Sequence, residues 1–138
     1  MLNLQTAPII KQDSTKLRSW TPKRGEVYLI NLGQEGKGSE QRGLRPAVII
    51  SNDRGNAASS IIQVAPVTSQ KKNNLPIHVE LNTRDGLKTE SVICIEQTKC
   101  ISKERAFING NIIRITQLSD KKMREIDLAI KIQFGLQI

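Results

Sequence analysis

The sequence has 138 residues, of which 21 are Lys or Arg and 13 are Asp or Glu, for a formal net charge of +8. This length fits one domain with its own core, and the longest apolar runs fall far short of the roughly 20 residues that a membrane span needs. The basic excess favours an anionic partner, either nucleic acid or an acidic protein, although many basic proteins bind neither.

Residues 1–22 are weakly periodic and contain several residues that interrupt regular structure, among them Pro8. They predict an N-terminal extension that ends at Pro22 and precedes a single domain over 23–138. The extension lacks the long apolar segment and small-residue cleavage site of a signal peptide. We therefore expect a cytoplasmic protein.

From Lys23 onward, short apolar runs alternate with polar turns, which predicts a mainly β fold. The predicted strands cover 26–31, 46–51, 61–68, 76–82, 91–96, 98–102 and 112–115. The four glycines of 33–43 predict a loop, and 52–60 predicts a second one. Pro66 predicts that its strand lies at a sheet edge or carries a bulge, and the alternation around His78 places that side chain in solvent.

The last segment has helical periodicity. Ser119 is the expected N-cap, and Gly135 is the expected stop. One predicted stripe contains the residues Met123, Ile126, Ile130 and Phe134, and a second contains Leu128 and Ile132. A helix with two apolar stripes needs two packing partners, one of which is the sheet. Short strands followed by one C-terminal helix predict a small SH3-like barrel.

Most familiar catalytic sites are excluded by composition. His78 is the only histidine, so the histidine pair of many ribonucleases is absent. Cys94 and Cys100 do not form a CxxC pair, and we expect no metal ligands and no cofactor. The glycine-rich loop lacks the spacing of a nucleotide-binding loop. Its backbone amides and basic side chains suit an RNA phosphate, although composition alone favours an ordinary hairpin connection with solvated charges.

Several motifs in chain order resemble those of the MazF/PemK toxin family. They are RGEVY at 24–28, GSEQRGLRP at 38–46, SND at 51–53, VAPVT at 64–68, LP at 75–76, HV at 78–79, SV at 91–92 and EQ at 96–97. The nine-residue loop motif is the most specific of them. The resemblance covers residues 23 to 136 and leaves the N-terminal extension without a role.

The resemblance implies a sequence-specific, metal-independent endoribonuclease that cleaves single-stranded RNA, forms a homodimer and is inhibited by a cognate antitoxin. It assigns catalysis to Arg45 and Thr68. In such a reaction the RNA 2′-OH attacks the adjacent phosphorus, which leaves a 2′,3′-cyclic phosphate and a 5′-OH. A fixed guanidinium stabilises the charge that develops on the phosphorus oxygens, and a threonine hydroxyl can both donate and accept a hydrogen bond.

The resemblance also implies that the loop and a later glutamine contact RNA. Glu40, Gln41 and Gln97 can pair with the edges of unstacked bases, and Ser39 can reach a phosphate. Two alternatives remain open at this stage. One is a gyrase poison of the CcdB kind, and the other is an RNA-binding domain without catalytic activity on the same fold.

Overall fold

The computed structural model describes residues 20–69 and 75–138. Nearly all of the predicted N-terminal extension, and most of the predicted polar turn at 69–74, therefore lie outside the described residues. The division of the chain at Lys23 stays a prediction. None of the helices in the described residues is both long enough and apolar enough to cross a membrane.

The described residues form nine short strands. They are β1 (Glu26–Asn31), β2 (Leu44–Ile49), β3 (Ile61–Thr68), β4 (His78–Leu81), β5 (Ser91–Cys94), β6 (Lys99–Ser102), β7 (Phe107–Ile108), β8 (Asn111–Ile112) and β9 (Arg114–Gln117). The helices are α1 (Asp53–Ala58) and α2 (Asp120–Gln133), with 3₁₀ turns at Thr83–Asp85, Ile95–Gln97 and Lys103–Ala106.

Seven of the strands form one antiparallel sheet in the order β4-β5-β3-β2-β1-β9, with β6 also paired to β3. β3 therefore has β6 beside Ile61–Val64 and β5 beside Val67–Thr68. This change of partner makes the sheet curl into a half-barrel. The predicted mainly β architecture with a C-terminal helix is confirmed.

The curled sheet is buried on both faces. One apolar cluster lies between the sheet and α2 and includes Val48, Ile93 and Ile126. A second cluster lies on the other face and includes Tyr28, Ile49 and Ile62, with Trp20 packed against it. Burying both faces explains why β1, β2 and β3 have runs of consecutive apolar residues instead of a strict alternation with polar residues.

The first described residues are integrated into the second cluster. The Trp20 ring packs edge-on against Tyr28, with ring centroids 5.1 Å apart, and against Phe107 at 5.9 Å. Pro22 is also buried. Trp20 and Pro22 belong to the segment assigned to the extension from sequence, yet they pack against the core of the domain.

Six boundary predictions differ from the structure, two of them only in length, since β4 and β6 are shorter than the strands predicted at 76–82 and 98–102. The strand predicted at 46–51 is β2 at Leu44–Ile49, because Leu44 and Arg45 pair with β1. The predicted loop 52–60 contains α1, which Asn52 caps by accepting a hydrogen bond from the Gly55 amide. The strand predicted at 91–96 ends at Cys94, where a 3₁₀ turn begins. The strand predicted at 112–115 is interrupted and is divided between β8 and β9.

The prediction for Pro66 was wrong, since β3 lies in the interior of the sheet. Pro66 pairs with Ala47 on one side. On the other side it falls between the residues paired with β6 and those paired with β5. A proline has no backbone N–H to donate to a neighbouring strand. An interior strand tolerates that loss at Pro66, because no residue of β5 or β6 is paired with it there.

The C-terminal helix follows its predicted pattern with one exception. The Ser119 hydroxyl accepts a hydrogen bond from the Lys122 amide at 3.2 Å, which confirms the N-cap. Ile126 is fully buried, but Phe134 is 60% exposed, because the helix ends at Gln133 and the chain turns away at Gly135. Its assignment to the buried stripe was wrong.

Candidate functional site

The glycine-rich loop 33–43 is closed at its base by backbone hydrogen bonds. The Gly43 amide donates to the Gly33 carbonyl at 2.7 Å, and the Leu32 amide donates to the Gly43 carbonyl at 2.8 Å. The Asn31 side chain accepts from the Gly33 amide at 2.9 Å. Gly33 and Gly43 both have positive φ values, of 87° and 83°, which only glycine adopts without strain. Gly43, within the motif at 38–46, therefore serves loop closure.

Charged side chains inside the loop are used to shape it. The Glu40 carboxylate accepts a hydrogen bond from the Lys37 amide at 3.1 Å. The Arg42 guanidinium donates to the Gly36 carbonyl at 2.8 Å. Both side chains remain exposed, so an anionic or base ligand could reach them and would compete with these local bonds.

Gln97 connects the loop to the rest of the domain. Its carbonyl oxygen accepts from the Gln41 amide at 2.5 Å, and its Nε2 donates to the Ser39 carbonyl at 2.8 Å. Gln97 lies at the end of the 3₁₀ turn Ile95–Gln97. In this conformation both polar atoms of its amide are bonded to the loop, whereas the resemblance implied that they contact RNA.

A cleft of about 380 Å³ lies between the loop and this turn. It is lined by Lys37, Ser39, Glu40, Gln41, Glu96, Gln97, Thr98 and Lys99. All four residues predicted to contact RNA are therefore brought together. The Gln41 side-chain oxygen is buried and has no hydrogen-bond partner within 20–69 and 75–138, which leaves an acceptor available to a donor that enters the cleft.

Arg45 and Thr68 lie on adjacent strands and are not part of the cleft lining. β2 pairs with β3 from Ala47 and Pro66 to Ile49 and Val64, so Arg45 and Thr68 each lie two residues beyond the last paired position. Alternate residues of a strand point to the same face of a sheet. The two residues predicted to be catalytic, 23 positions apart in the chain, thus lie near the ends of adjacent strands, on the face that Ala47 and Pro66 share.

The two residues differ in accessibility. The Arg45 Nε donates to the Arg42 carbonyl at 2.8 Å, and its terminal nitrogens make no hydrogen bond or ion pair within the described part of the chain. Thr68 is only 1% exposed. A guanidinium held at Nε and open at its terminal nitrogens can bind two oxygens of a phosphate, whereas the threonine hydroxyl is covered in this conformation.

The solvent-exposed position predicted for His78 was wrong. Its side chain is 6% exposed, and its Nε2 is hydrogen-bonded to the Glu96 carboxylate. The alternation of Ile77, Val79 and Leu81 indicated which face His78 occupies, but it could not show that the 3₁₀ turn after β5 covers that face. Burial raises the pKa of Tyr28 and lowers that of Lys103. Neither lines the cleft.

Comparison with known proteins gives consistent matches. A family model described as "PemK-like, MazF-like toxin of type II toxin-antitoxin system" matches residues 23–134. A protein named Endoribonuclease MazF from Staphylococcus saprophyticus is 43% identical over 116 residues, which is 83% of this chain and 92% of that protein.

Solved structures share the fold. MazF from Deinococcus radiodurans superposes with a TM-score of 0.70 at 21% identity, over 85% of this chain and 99% of that chain. A mycobacterial endoribonuclease in complex with its cognate antitoxin gives a TM-score of 0.69 at 21% identity, over 85% and 98% of the two chains. These matches establish the half-barrel with its C-terminal helix as the fold of this protein.

The double contact of Gln97 predicts how the loop is held. Gln97→Ala removes two hydrogen bonds, each of which contributes about 1 kcal/mol net. We expect the Gln41 amide to exchange with solvent about tenfold faster or more, while core amides in β3 keep their rates. Hydrogen exchange measured by NMR gives both values. Gln34→Ala is the matched control, because Gln34 is an exposed glutamine of the same loop. Equal Gln41 exchange in the two variants would refute the role of Gln97.

Proposed function

The chain belongs to the PemK-like, MazF-like family of type II toxin–antitoxin toxins, and we propose that it is a toxin that cleaves single-stranded RNA at short specific sequences. The observation that carries the proposal is the 43% identity to a protein named as an endoribonuclease, over nearly the whole of that protein. Arg45 and Thr68 lie near the ends of two paired strands and offer functional groups that suit this activity.

Arg45 is proposed to stabilise the transition state. The RNA 2′-oxygen bonds to phosphorus, and the bond from phosphorus to the 5′-oxygen breaks. The proton lost from the 2′-OH is balanced by one gained at the leaving 5′-oxygen. Negative charge develops on the phosphorus oxygens between these events, and the open terminal nitrogens of Arg45 can donate to them. Arginine stays protonated in proteins, so its role is charge stabilisation and hydrogen-bond donation.

Thr68 is proposed to orient the 2′-OH or a phosphate oxygen through its hydroxyl. A side chain that is 1% exposed does not touch a substrate in this conformation. The proposal therefore requires a local opening over Thr68 when RNA binds. Binding energy from nucleotides on either side of the reacting phosphate can drive such a change.

The cleft is proposed to select the bases. Ser39, Glu40, Gln41 and Gln97 offer donors and acceptors for phosphates and base edges. Gln97 must release Ser39 or Gln41 to read a base, which would couple sequence recognition to a change in loop conformation. Base stacking is expected to contribute little, since Trp20 packs against Tyr28 and Phe107 and the exposed Phe134 lies at the end of α2, outside the cleft lining.

An antitoxin protein is the proposed inhibitor, and the proposed location is the cytoplasm, where a messenger RNA substrate is available. One structural neighbour is an endoribonuclease bound to its cognate antitoxin. The proposed domain organisation remains an extension at 1–22 and a ribonuclease domain at 23–138.

The alternative to the ribonuclease activity is a gyrase poison of the CcdB kind. It predicts growth arrest without RNA cleavage.

A homodimer is the proposed assembly. Leu128 and Ile132 are 45% and 38% exposed on the face of α2 away from the core. Leu128 also lines a surface groove of about 390 Å³ between α2 and β4, together with Leu75 and Val92. Covering an aliphatic side chain contributes roughly 1.5–3 kcal/mol, and a symmetric two-fold interface is the commonest way to do so.

The first functional prediction concerns Arg45. Arg45→Ala is expected to reduce the RNA cleavage rate by on the order of a hundredfold or more, because one preformed donor to the developing charge is lost. Single-turnover cleavage of a fluorescent RNA measures the rate, and circular dichroism checks the fold. Arg84→Ala is the control, since Arg84 is exposed and lies in a 3₁₀ turn outside the cleft. Wild-type rates from folded Arg45→Ala protein would eliminate the mechanism.

The second prediction concerns the products. Cleavage by the 2′-OH needs no metal ion, so it is expected to continue at an unchanged rate in excess chelator and to leave 5′-OH ends. Such ends are labelled directly by polynucleotide kinase, without prior phosphatase treatment. Adding Mg²⁺ back is the control and is expected to leave the rate unchanged. Ends that carry 5′-phosphate would contradict attack by the 2′-OH.

The third prediction concerns assembly. The double variant Leu128→Asp/Ile132→Asp is expected to be monomeric at micromolar concentration by light scattering, whereas the unmodified chain is dimeric. Burying two carboxylates at an interface is costly unless they are paired. Lys88→Asp changes charge at an exposed site outside α2 and is expected to leave the mass unchanged. A dimer that survives both α2 substitutions would place the interface elsewhere.

A further inference from the structure

We propose that His78, Cys94 and Glu96 form a binding site for one thiophilic divalent cation, of which Zn²⁺ is the best match. A ring nitrogen of His78, the sulfur of Cys94 and a carboxylate oxygen of Glu96 lie within 4.8 Å of one another. The inference goes beyond the proposed ribonuclease activity and does not depend on it.

Pairing of two strands brings these three residues together. His78 begins β4 and lies opposite Cys94, the last residue of β5. Opposite positions share one face of a sheet. Glu96 follows in the 3₁₀ turn Ile95–Gln97, which turns its carboxylate back toward His78. Sequence spacing hides the site, because 15 residues separate His78 from Cys94 and no CxxC or HxxxH pattern exists.

The donor set has the chemistry of a zinc site. Zn²⁺ takes Cys sulfur at about 2.3 Å and His nitrogen or carboxylate oxygen at about 2.0–2.2 Å, usually in tetrahedral geometry. Those lengths put ligand atoms roughly 3.3–3.6 Å apart. No pair of the three atoms, all within 4.8 Å of one another, therefore has to close in by more than about 1.5 Å, and His78 Nε2 has to move away from the Glu96 oxygen to which it is hydrogen-bonded. A thiolate ligand disfavours Mg²⁺ and Ca²⁺. Binding converts the Cys94 thiol to thiolate and releases its proton to solvent.

A second observation supports a ligand here. The other carboxylate oxygen of Glu96, Oε1, is buried and has no hydrogen-bond partner within residues 20–69 and 75–138. A buried carboxylate oxygen without a partner is costly, and coordination to a cation satisfies it. The charges also balance, since a thiolate and a carboxylate together offset the two positive charges of the ion. A fourth position is left for water, as in zinc sites with three protein ligands.

The site lies between two surface grooves and next to Gln97, the residue that holds the glycine-rich loop. Glu96 lines the cleft beneath the glycine-rich loop, and His78 lines the groove between β4 and α2. Gln97, which holds Ser39 and Gln41, is the next residue after Glu96. An ion bound to Glu96 therefore fixes the turn from which Gln97 reaches the loop, which makes the expected role of the ion structural.

Metal binding to the full-length protein tests the proposal directly. Protein stripped with chelator and dialysed is titrated with Zn²⁺ in a calorimeter, and with Co²⁺ while the thiolate-to-cobalt charge-transfer absorption is followed. We expect one ion per chain and a clear charge-transfer band. Cys94→Ala is expected to abolish the band and weaken Zn²⁺ binding at least tenfold, and Glu96→Gln is expected to weaken it to a similar extent while retaining the band.

Cys100→Ala is the matched control, because Cys100 is the second cysteine of the chain and is exposed. It is expected to keep the stoichiometry, affinity and absorption band of the unmodified protein. Equal affinity in Cys94→Ala, or a band that disappears in Cys100→Ala, overturns the proposal. If Cys94→Ala does not fold, the Co²⁺ titrations of the unmodified chain and of Cys100→Ala still test the proposal. If neither protein shows a charge-transfer band, Cys94 is not a ligand.

Discussion

The change of partner along β3 is the constraint on which the rest of the structure depends. Its first half is bonded to β6 and its second half to β5, so one strand belongs to two diverging parts of the sheet. The divergence curls the sheet and lets α2 cover one face while Trp20 closes the other. On its other side β3 pairs with β2, and Thr68 and Arg45 lie near the ends of these two strands.

The elements with a strong local signal were predictable from sequence. β1 and β3 have the predicted bounds, and the N-cap at Ser119 was located correctly. α1 was missed because its six residues include Gly55, which is a poor helix former. It is stabilised by the Asn52 cap and by Asn56, whose side-chain amide donates to the Ser51 carbonyl at 2.9 Å. Contacts with the rest of the domain thus outweighed the weak helix propensity of this segment. They likewise outweighed the tendency of proline to avoid interior strands at Pro66.

The candidate site could be predicted in part. The glycine-rich loop and its charges were visible as a motif, and the structure places the four predicted RNA contacts around one cleft. The predicted roles of these residues remain proposals. Local pattern could not show that Gln97 reaches back 56 positions to Gln41, or that His78 is covered by Glu96. Both contacts depend on the 3₁₀ turn that follows β5, and a three-residue turn leaves no periodic signal.

The packing of Trp20 has a practical consequence for experiments in solution. It is the only tryptophan of the chain, and its ring lies between Tyr28 and Phe107 at the point where the described structure begins. Its emission spectrum therefore reports on one place, the junction between the N-terminal segment and the second apolar cluster. Undocking of this junction would move the indole into water and red-shift its fluorescence, so the protein carries an intrinsic optical probe of how its N-terminal segment is attached.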